Sequence, residues 1–412
     1  MARLHLPTAP ERLRVGPLRA GAFRSALHDE RSASLIGTAL GVAFTTAFLT
    51  GLVSHELQLA HPPTWIPDRP VWIYRFTQGL HVASGLAAIP LLLAKLWTVY
   101  PKLFGWPPVK SLLHALERLS IAVLVAGAIF ELVTGLLNVI QWYPWKFAFK
   151  PTHYWVAWIT VGALILHLAV KAPAIARGYR RQPSPGDLEH VEHVEHVEAT
   201  EHVEATEHVE RGRGQGAASR RALLLTTGAA VGVVTLTTVG QSVTWLHGLD
   251  LLAPRDPSVG PQGIPINRTA AQAGVLTSAF APDWELEVDG PRPYRLTLDQ
   301  LGALPQYEAV LPISCVEGWS VNGRWQGVRL LDLLDRAGAR PGADIRIVSL
   351  EKAGFYATTT MTREYSRDPL TLLALRLGGR RLALDHGYPA RIIAPGRPGV
   401  LQTKWVRRIE VL

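Results

Sequence analysis

Six histidines lie in or beside the first four apolar stretches of this 412-residue sequence: His28, His55, His81, His114, His153 and His167. Placing an ionisable side chain in hydrocarbon is costly, so each is a functional candidate by default. His153 and His167 are 14 residues apart. On a helix that spacing brings both to within about 40° of one face and separates them by about 21 Å along the axis. Neutral imidazole is a good axial ligand for haem iron, and two such ligands give a low-spin centre that passes electrons without binding oxygen. One helix could thus hang a haem near each side of a membrane. Gly85, four residues after His81, leaves space on that face for a porphyrin. The single cysteine, Cys315, excludes an intramolecular disulfide framework and any CxxC pair. A lone thiol packs as a small apolar group, reacts, or binds a soft metal.

The elements that must position these residues are mostly apolar. Charged residues make up 18% of the chain, and the long uncharged runs exclude an ordinary cytosolic globule and a disordered chain. Residues 33–54, 76–94, 119–141 (interrupted by Glu131), 154–170 and 222–243 are each long enough to span a bilayer. The net charge of +9 reflects Lys and Arg gathered near the N-terminus, in 95–118 and in 171–181, rather than a nucleic-acid surface. That bias predicts a multi-pass protein of the cytoplasmic membrane, with a cytosolic N-terminus and an extracytoplasmic C-terminal portion. Trp65, Trp72, Tyr74, Trp142, Tyr143, Trp145, Tyr154 and Trp155 are expected to form the outer aromatic belt.

Five segments follow: a cytosolic 1–32, a four-span 33–175, a spacer 176–221, an anchor span 222–245 and a soluble domain 264–412. The spacer carries Glu at every third position of 189–210, interleaved with His190, His193, His196, His202 and His208. It reads as a solvated linker, with divalent-metal binding and a metal-uptake role as the alternative. In the C-terminal domain, β-rich runs at 284–288, 345–350 and 391–394 and a helix at 330–337 predict an α+β fold dominated by strands.

The paired-histidine span resembles the four-helix cytochrome b subunits of formate dehydrogenases and nickel-iron hydrogenases, over about residues 24–175. The resemblance implies an all-α transmembrane bundle binding two haems b. His81 would pair with His153 in the outer haem and His167 with His28 in the inner one. His114 is the alternative to His28, and His55 has no partner in this scheme.

Ile313-Ser314-Cys315-Val316-Glu317-Gly318-Trp319, with Trp325-Gln326-Gly327-Val328, resembles the metal-binding loop of the sulfite oxidase and methionine-sulfoxide reductase family. The tail from Asp385 to Gly396, followed by Gln402-Thr403-Lys404-Trp405, resembles that family's closing motif. The resemblance covers about residues 264–412 and implies a molybdenum-molybdopterin cofactor. It makes Cys315 the metal ligand and catalytic residue, and Asn267, Arg268, Thr358, His386, Arg391, Gln402, Thr403 and Lys404 the pterin contacts. The register at Thr358 is open by one or two positions. A phosphate is suited by a guanidinium, an ammonium and backbone N–H groups of a Gly-rich turn. Ser314 replaces a basic residue often found in the sulfoxide-reductase branch, and the immunoglobulin-like domain of sulfite oxidases is not expected after Leu412.

Ser219-Arg220-Arg221-Ala222-Leu223-Leu224 resembles a twin-arginine export motif. The expectation is an enzyme of the lipid membrane, with no nucleic-acid partner. It would relay electrons from quinol through haem to an extracytoplasmic molybdenum centre that reduces a small S- or N-oxide. Sulfite oxidation with electrons passed to quinone is the alternative. A membrane cytochrome with a non-catalytic binding domain is the other.

Overall fold

The computed structural model describes residues 11–13, 15–19, 23, 25, 27–63, 65–66, 69–179, 220–253 and 255–412. The Glu/His-rich stretch 189–210, Arg24, Arg180, Arg181 and Ser219 lie outside the described residues. Five helices among the described residues are long and apolar enough to cross a membrane. They are α1 (Glu30–Leu57), α2 (Ile73–Val99), α3 (Leu112–Val139), α4 (Phe149–Tyr179) and α5 (spanning Arg220–Gln241). The first four extend beyond the uncharged runs read from sequence. Polar residues at their ends, such as Glu30 and Arg177, continue the helix once partners exist, and these two form an ion pair. Leu112, Leu113 and Ile165 expose more than 60% of their surface, as lipid-facing side chains do.

Contacts divide the chain into two units. The first comprises 1–45, 84–136 and 144–235. Small residues let its helices approach closely: a Cβ on Gly127 would collide with Thr160, and one on Gly178 with Ser34. Lys95 donates to the Ala33 carbonyl over 2.7 Å, and Arg220, from the twin-arginine-like motif, pairs with Asp29 over 2.6 Å.

The second unit comprises 46–83, 137–143 and 236–412. Its strands are β1 (Glu285–Asp289), β2 (Tyr294–Thr297), β3 (Tyr307–Ser314), β4 (Ser320–Arg329), β5 (Ile345–Ser349), β6 (Thr358–Met361), β7 (Leu372–Leu377), β8 (Arg380–Arg381), β9 (Arg391–Ile393) and β10 (Val406–Val411). One sheet runs β2-β1-β10-β5-β6, with β1 and β10 parallel; the other runs β3-β4-β7-β8, with β9 also on β7. Alternation in Glu285–Asp289 and Ile345–Ser349 turns Leu286, Val288, Ile345 and Ile347 inward. They pack with Leu373, Ile392, Val406 and Ile409, and with Leu330, Leu333 and Leu334 of the short helix Leu330–Arg336. The C-terminal region is thus mostly β, as its composition predicts. Tyr74 departs from the expected belt: it is 1% exposed, packed on Leu57 and Ile66.

Candidate functional site: a cationic cleft at a buried cysteine

Cys315 occupies the tip of the β3–β4 hairpin. Its N–H donates to the Trp319 carbonyl over 2.9 Å, and its carbonyl accepts from Gly318 over 3.1 Å. Gly318 has φ +98°, which favours glycine, and a Cβ there would meet Val82 of α2 at 2.9 Å. The thiol is buried, and its Sγ accepts a hydrogen bond from Asn267 Nδ2 at 3.4 Å. Burial pushes its pKa well up, and the Glu317 carboxylate adds to this. Such a thiol is a poor nucleophile at neutral pH; it becomes a thiolate when an electron-poor metal takes the proton's place.

A cleft opens at Cys315. Its wall brings together Asn267, Arg268, His386, Arg391, Gln402, Thr403 and Lys404, seven of the eight expected pterin contacts. The eighth, Thr358, is exposed on β6 and does not line it. Strand alternation instead turns its neighbour Thr359 inward, where its hydroxyl meets that of Thr403 at 2.7 Å. Within the register left open for this contact, Thr359 is the threonine that reaches a residue of the cleft wall.

The tail folds so that its cations converge. Gly387, at φ +108°, lets the backbone pass between Lys404 and Arg391, against both of which a Cβ would press. Arg391 is 2% exposed; it donates to the carbonyls of His386 and Gln402 and lies over the Trp325 ring at 5.0 Å. Lys404 Nζ donates to the carbonyls of Arg268 at 2.5 Å and Asp385 at 3.0 Å. Among the described residues no carboxylate pairs with Arg391 or Lys404, whereas Arg268 pairs with Glu351. Burial lowers the Arg391 pKa to about 9. Burial, reinforced by Arg391, lowers that of Lys404 to about 7. His386 Nε2 faces the Pro261 carbonyl at 2.5 Å, and burial with the Arg391 charge lowers its pKa to about 4. Arg391 Nε and Gln402 Oε1 are buried without a partner. Uncompensated buried cations and orphaned polar atoms around one cleft fit an anionic, hydrogen-bonding ligand, and the residues present therefore fit a phosphorylated pterin.

Residues 273–412 match the family profile described as "Oxidoreductase molybdopterin binding domain". The C-terminal third is a molybdopterin-binding oxidoreductase domain. Three relatives are similar to parts of this chain. "Uncharacterized oxidoreductase YuiH" of Bacillus subtilis (strain 168) is 33% identical over 31% of this chain and 64% of its own length. "Putative protein-methionine-sulfoxide reductase subunit YedZ1" of Azospira oryzae is 32% identical over 40% of this chain and 63% of its own. "Sulfite oxidase, mitochondrial" of Drosophila melanogaster is 30% identical over 31% and 27%. The chain therefore spans just under two thirds of the first two relatives.

Several residues at the molybdopterin-binding domain's site were not singled out from sequence. Tyr356, Glu351 and Trp319 line the cleft. Glu317 is buried beside Cys315, accepting from Trp319 Nε1 at 3.0 Å and from Gln141, with Arg255 at 3.7 Å. Gln78 of α2 donates to the Val316 carbonyl at 2.6 Å, and Ser242 donates to that of Gly318. The one sequence signal available for Gln78 was an amide inside an apolar span.

The histidines differ in what their ring nitrogens face. His81 Nδ1 lies 2.8 Å from the Ala47 carbonyl, which only accepts, so that nitrogen carries the proton. This is the tautomer that offers Nε2 to a metal. Gly51 makes room for the ring: a Cβ there would lie 2.7 Å from Nδ1. His28 Nδ1 likewise faces the Thr98 carbonyl at 3.3 Å, with the ring against Trp97. His114 Nδ1 instead accepts from the Lys110 N–H at 3.2 Å, which puts its proton on Nε2. His153 Nε2 is 3.0 Å from Glu131, and its Nδ1 is 3.2 Å from the Thr134 hydroxyl. His167 is partly buried, in the same unit as Glu117 and Lys171, which pair with each other. The His28 and His81 rings thus carry the proton on Nδ1, whereas the Nε2 of His153 already faces Glu131.

Proposed function

We propose that the chain is a membrane-bound, molybdopterin-dependent oxidoreductase that draws electrons from quinol through b-type haem and reduces a small S- or N-oxide. The cleft that joins Cys315 to Arg391, Lys404, His386, Asn267, Arg268, Gln402 and Thr403 carries this reading. Arg391 and Lys404 would hold the phosphate, while Gln402 and Thr403 would orient the pterin. Asn267 would keep the Cys315 sulfur in register over the 3.4 Å bond described above. Bound there, a dithiolene-held molybdenum supplies two-electron exchange of an oxygen atom. The relative named as a sulfoxide reductase subunit supports reduction as the direction. Sulfite oxidation is the second reading, favoured by the relative named sulfite oxidase.

In the membrane part, the ring tautomers favour His28 over His114 as the inner haem ligand, with His167 opposite. His81 is the outer ligand, and His153 completes that pair. Basic residues at the N-terminus and in 95–118 favour a cytosolic N-terminus, which with five spans sets 264–412 outside the cell. Arg220 and Arg221 suit twin-arginine export of a domain folded around its cofactor.

Molybdenum and iron are to be measured on one purified sample of the full chain, together with its absorption spectrum. One molybdenum and two irons per chain are expected. Protein lacking both molybdenum and tungsten after growth with an ample supply sinks the reading. Cys315→Ser should lose methionine-sulfoxide turnover and keep the haem spectrum. Retained turnover removes Cys315 from its role.

A further inference from the structure

We infer that the Tyr356 hydroxyl is the donor that binds the oxygen of a neutral S- or N-oxide substrate beside Cys315. The inference rests on the function proposed above and supplies the substrate contact which that reading leaves unassigned. Tyr356 and Cys315 line the same cleft. Burial, with Cys315 in electrostatic reach, raises the phenol's pKa from 10, so it keeps its proton at neutral pH. Among the described residues its hydroxyl makes no hydrogen bond.

Apart from the Cys315 thiol itself, the other neutral donor side chains on that wall are already paired within the protein. Asn267 Nδ2 is held by the Cys315 sulfur, Trp319 Nε1 by Glu317, and Trp405 Nε1 by the Leu384 carbonyl at 2.8 Å. Gln402 Nε2 donates to the Arg397 carbonyl at 2.7 Å, Thr403 is paired with Thr359, and His386 faces the Pro261 carbonyl. The cations Arg391 and Lys404 are those assigned above to the phosphate. An oxo substrate needs a donor for its oxygen, and Tyr356 is the neutral one left open near the sulfur. A phenol suits a neutral S–O or N–O oxygen, whereas an oxyanion is better matched by a cation. The phenol binds and keeps its proton.

The loop that carries Tyr356 is braced. Its base closes where the Ser349 N–H donates to the Ala357 carbonyl at 2.8 Å, and the Ala357 N–H donates to that of Gly354 at 3.2 Å. Arg268 pairs with Glu351 and donates to the Ala353 carbonyl at 3.1 Å. Gly354 lets the Glu351 carboxylate lie against the backbone, where a Cβ would collide with it. Arg268, which the motif makes a pterin contact, thus also fixes the loop from which the phenol reaches the cleft.

The test uses the full-length, molybdenum-loaded protein. Tyr356→Phe removes only the hydroxyl, and Phe355→Leu alters its neighbour, which is 92% exposed and off the cleft wall. Binding is read without turnover: methionine sulfoxide is titrated into the oxidised enzyme and followed by tryptophan fluorescence, since Trp319 and Trp405 line the cleft. Turnover is driven by a reduced viologen. Loss of one hydrogen bond should raise both Kd and KM by about tenfold in Tyr356→Phe. Molybdenum and pterin content should hold, and Phe355→Leu should keep wild-type constants. Unchanged Kd and KM in Tyr356→Phe overturn the inference. So does loss of pterin, which makes the phenol a cofactor contact, or an equal change in Phe355→Leu, which makes the effect one of loop shape. A molybdenum-replete wild type that turns over sulfite and no S- or N-oxide overturns the proposed function as well. A wild type active on the sulfoxide, with unaltered constants in Tyr356→Phe, overturns this inference alone.

Discussion

Replacing Lys404 by Met should stabilise the cofactor-free protein at neutral and acid pH while abolishing cofactor retention. In the folded chain the ammonium is buried near Arg391, and its pKa falls from 10.5 to about 7. A gap of that size corresponds to about 5 kcal/mol if undiluted by water, and to roughly 3 kcal/mol once the remaining solvent contact is allowed for. Because the folded value lies below the unfolded one, the cost is absent above pH 10.5, grows as pH falls, and is complete below about pH 7. Met removes that cost and leaves the carbonyls of Arg268 and Asp385 without the Lys donor, a loss of about 1–2 kcal/mol. The net gain below pH 7 is therefore about 1–2 kcal/mol, or several degrees in melting temperature for a domain of this size. Above pH 10.5 the sign reverses and the variant is the weaker protein. The assay is denaturation followed by tryptophan fluorescence, on protein from cells unable to make the pterin. Inorganic pyrophosphate, standing in for the cofactor's phosphate, should raise the wild-type midpoint and leave the variant's unchanged. A Met variant destabilised equally at pH 6 and pH 10.5 would refute the view of the cleft as a strained, uncompensated cation site.

Three further outcomes are expected. His386 should make the cofactor-free domain lose stability as pH falls from 6.5 towards 4, because its folded pKa is depressed to about 4; His386→Gln should flatten that slope in an acid titration. Thr359→Val should cost about 1–2 kcal/mol by leaving the Thr403 hydroxyl unpartnered, while exposed Thr358→Val stays near neutral in the same denaturation assay. His28→Ala should lower the haem content of purified protein and His114→Ala should not; the reverse result in a pyridine haemochrome assay would reinstate His114.

What the sequence disclosed depended on distance along the chain. The stretch from Asp385 to Trp405 was legible as a unit, because one short strand and the turns on either side of it carry His386, Arg391, Gln402, Thr403 and Lys404 to the cleft wall. The register at Thr358 stayed open, since a run of three threonines offers no hydrophobic marker for the face of a strand; the fold turns Thr359 inward and leaves Thr358 exposed. Gln78, Gln141, Ser242 and Arg255 reach the Cys315 hairpin from far away in sequence, and no local pattern records such a meeting. Tyr74 shows the complementary failure. Its place among aromatics near a helix end suggested an interfacial ring, and only packing against Leu57 and Ile66 reveals it as buried. Spans were found readily because bilayer thickness sets their length; their true ends depended on ion pairs such as Glu30–Arg177.

The hairpin that bears Cys315 is gripped by side chains that precede residue 264. Cutting the gene at that point, the natural choice for a soluble crystallisation target, would strip Val316 of its amide donor, Gly318 of its hydroxyl and Glu317 of its guanidinium. Kinetics recorded on such a fragment would describe a looser loop than the one the intact polypeptide holds.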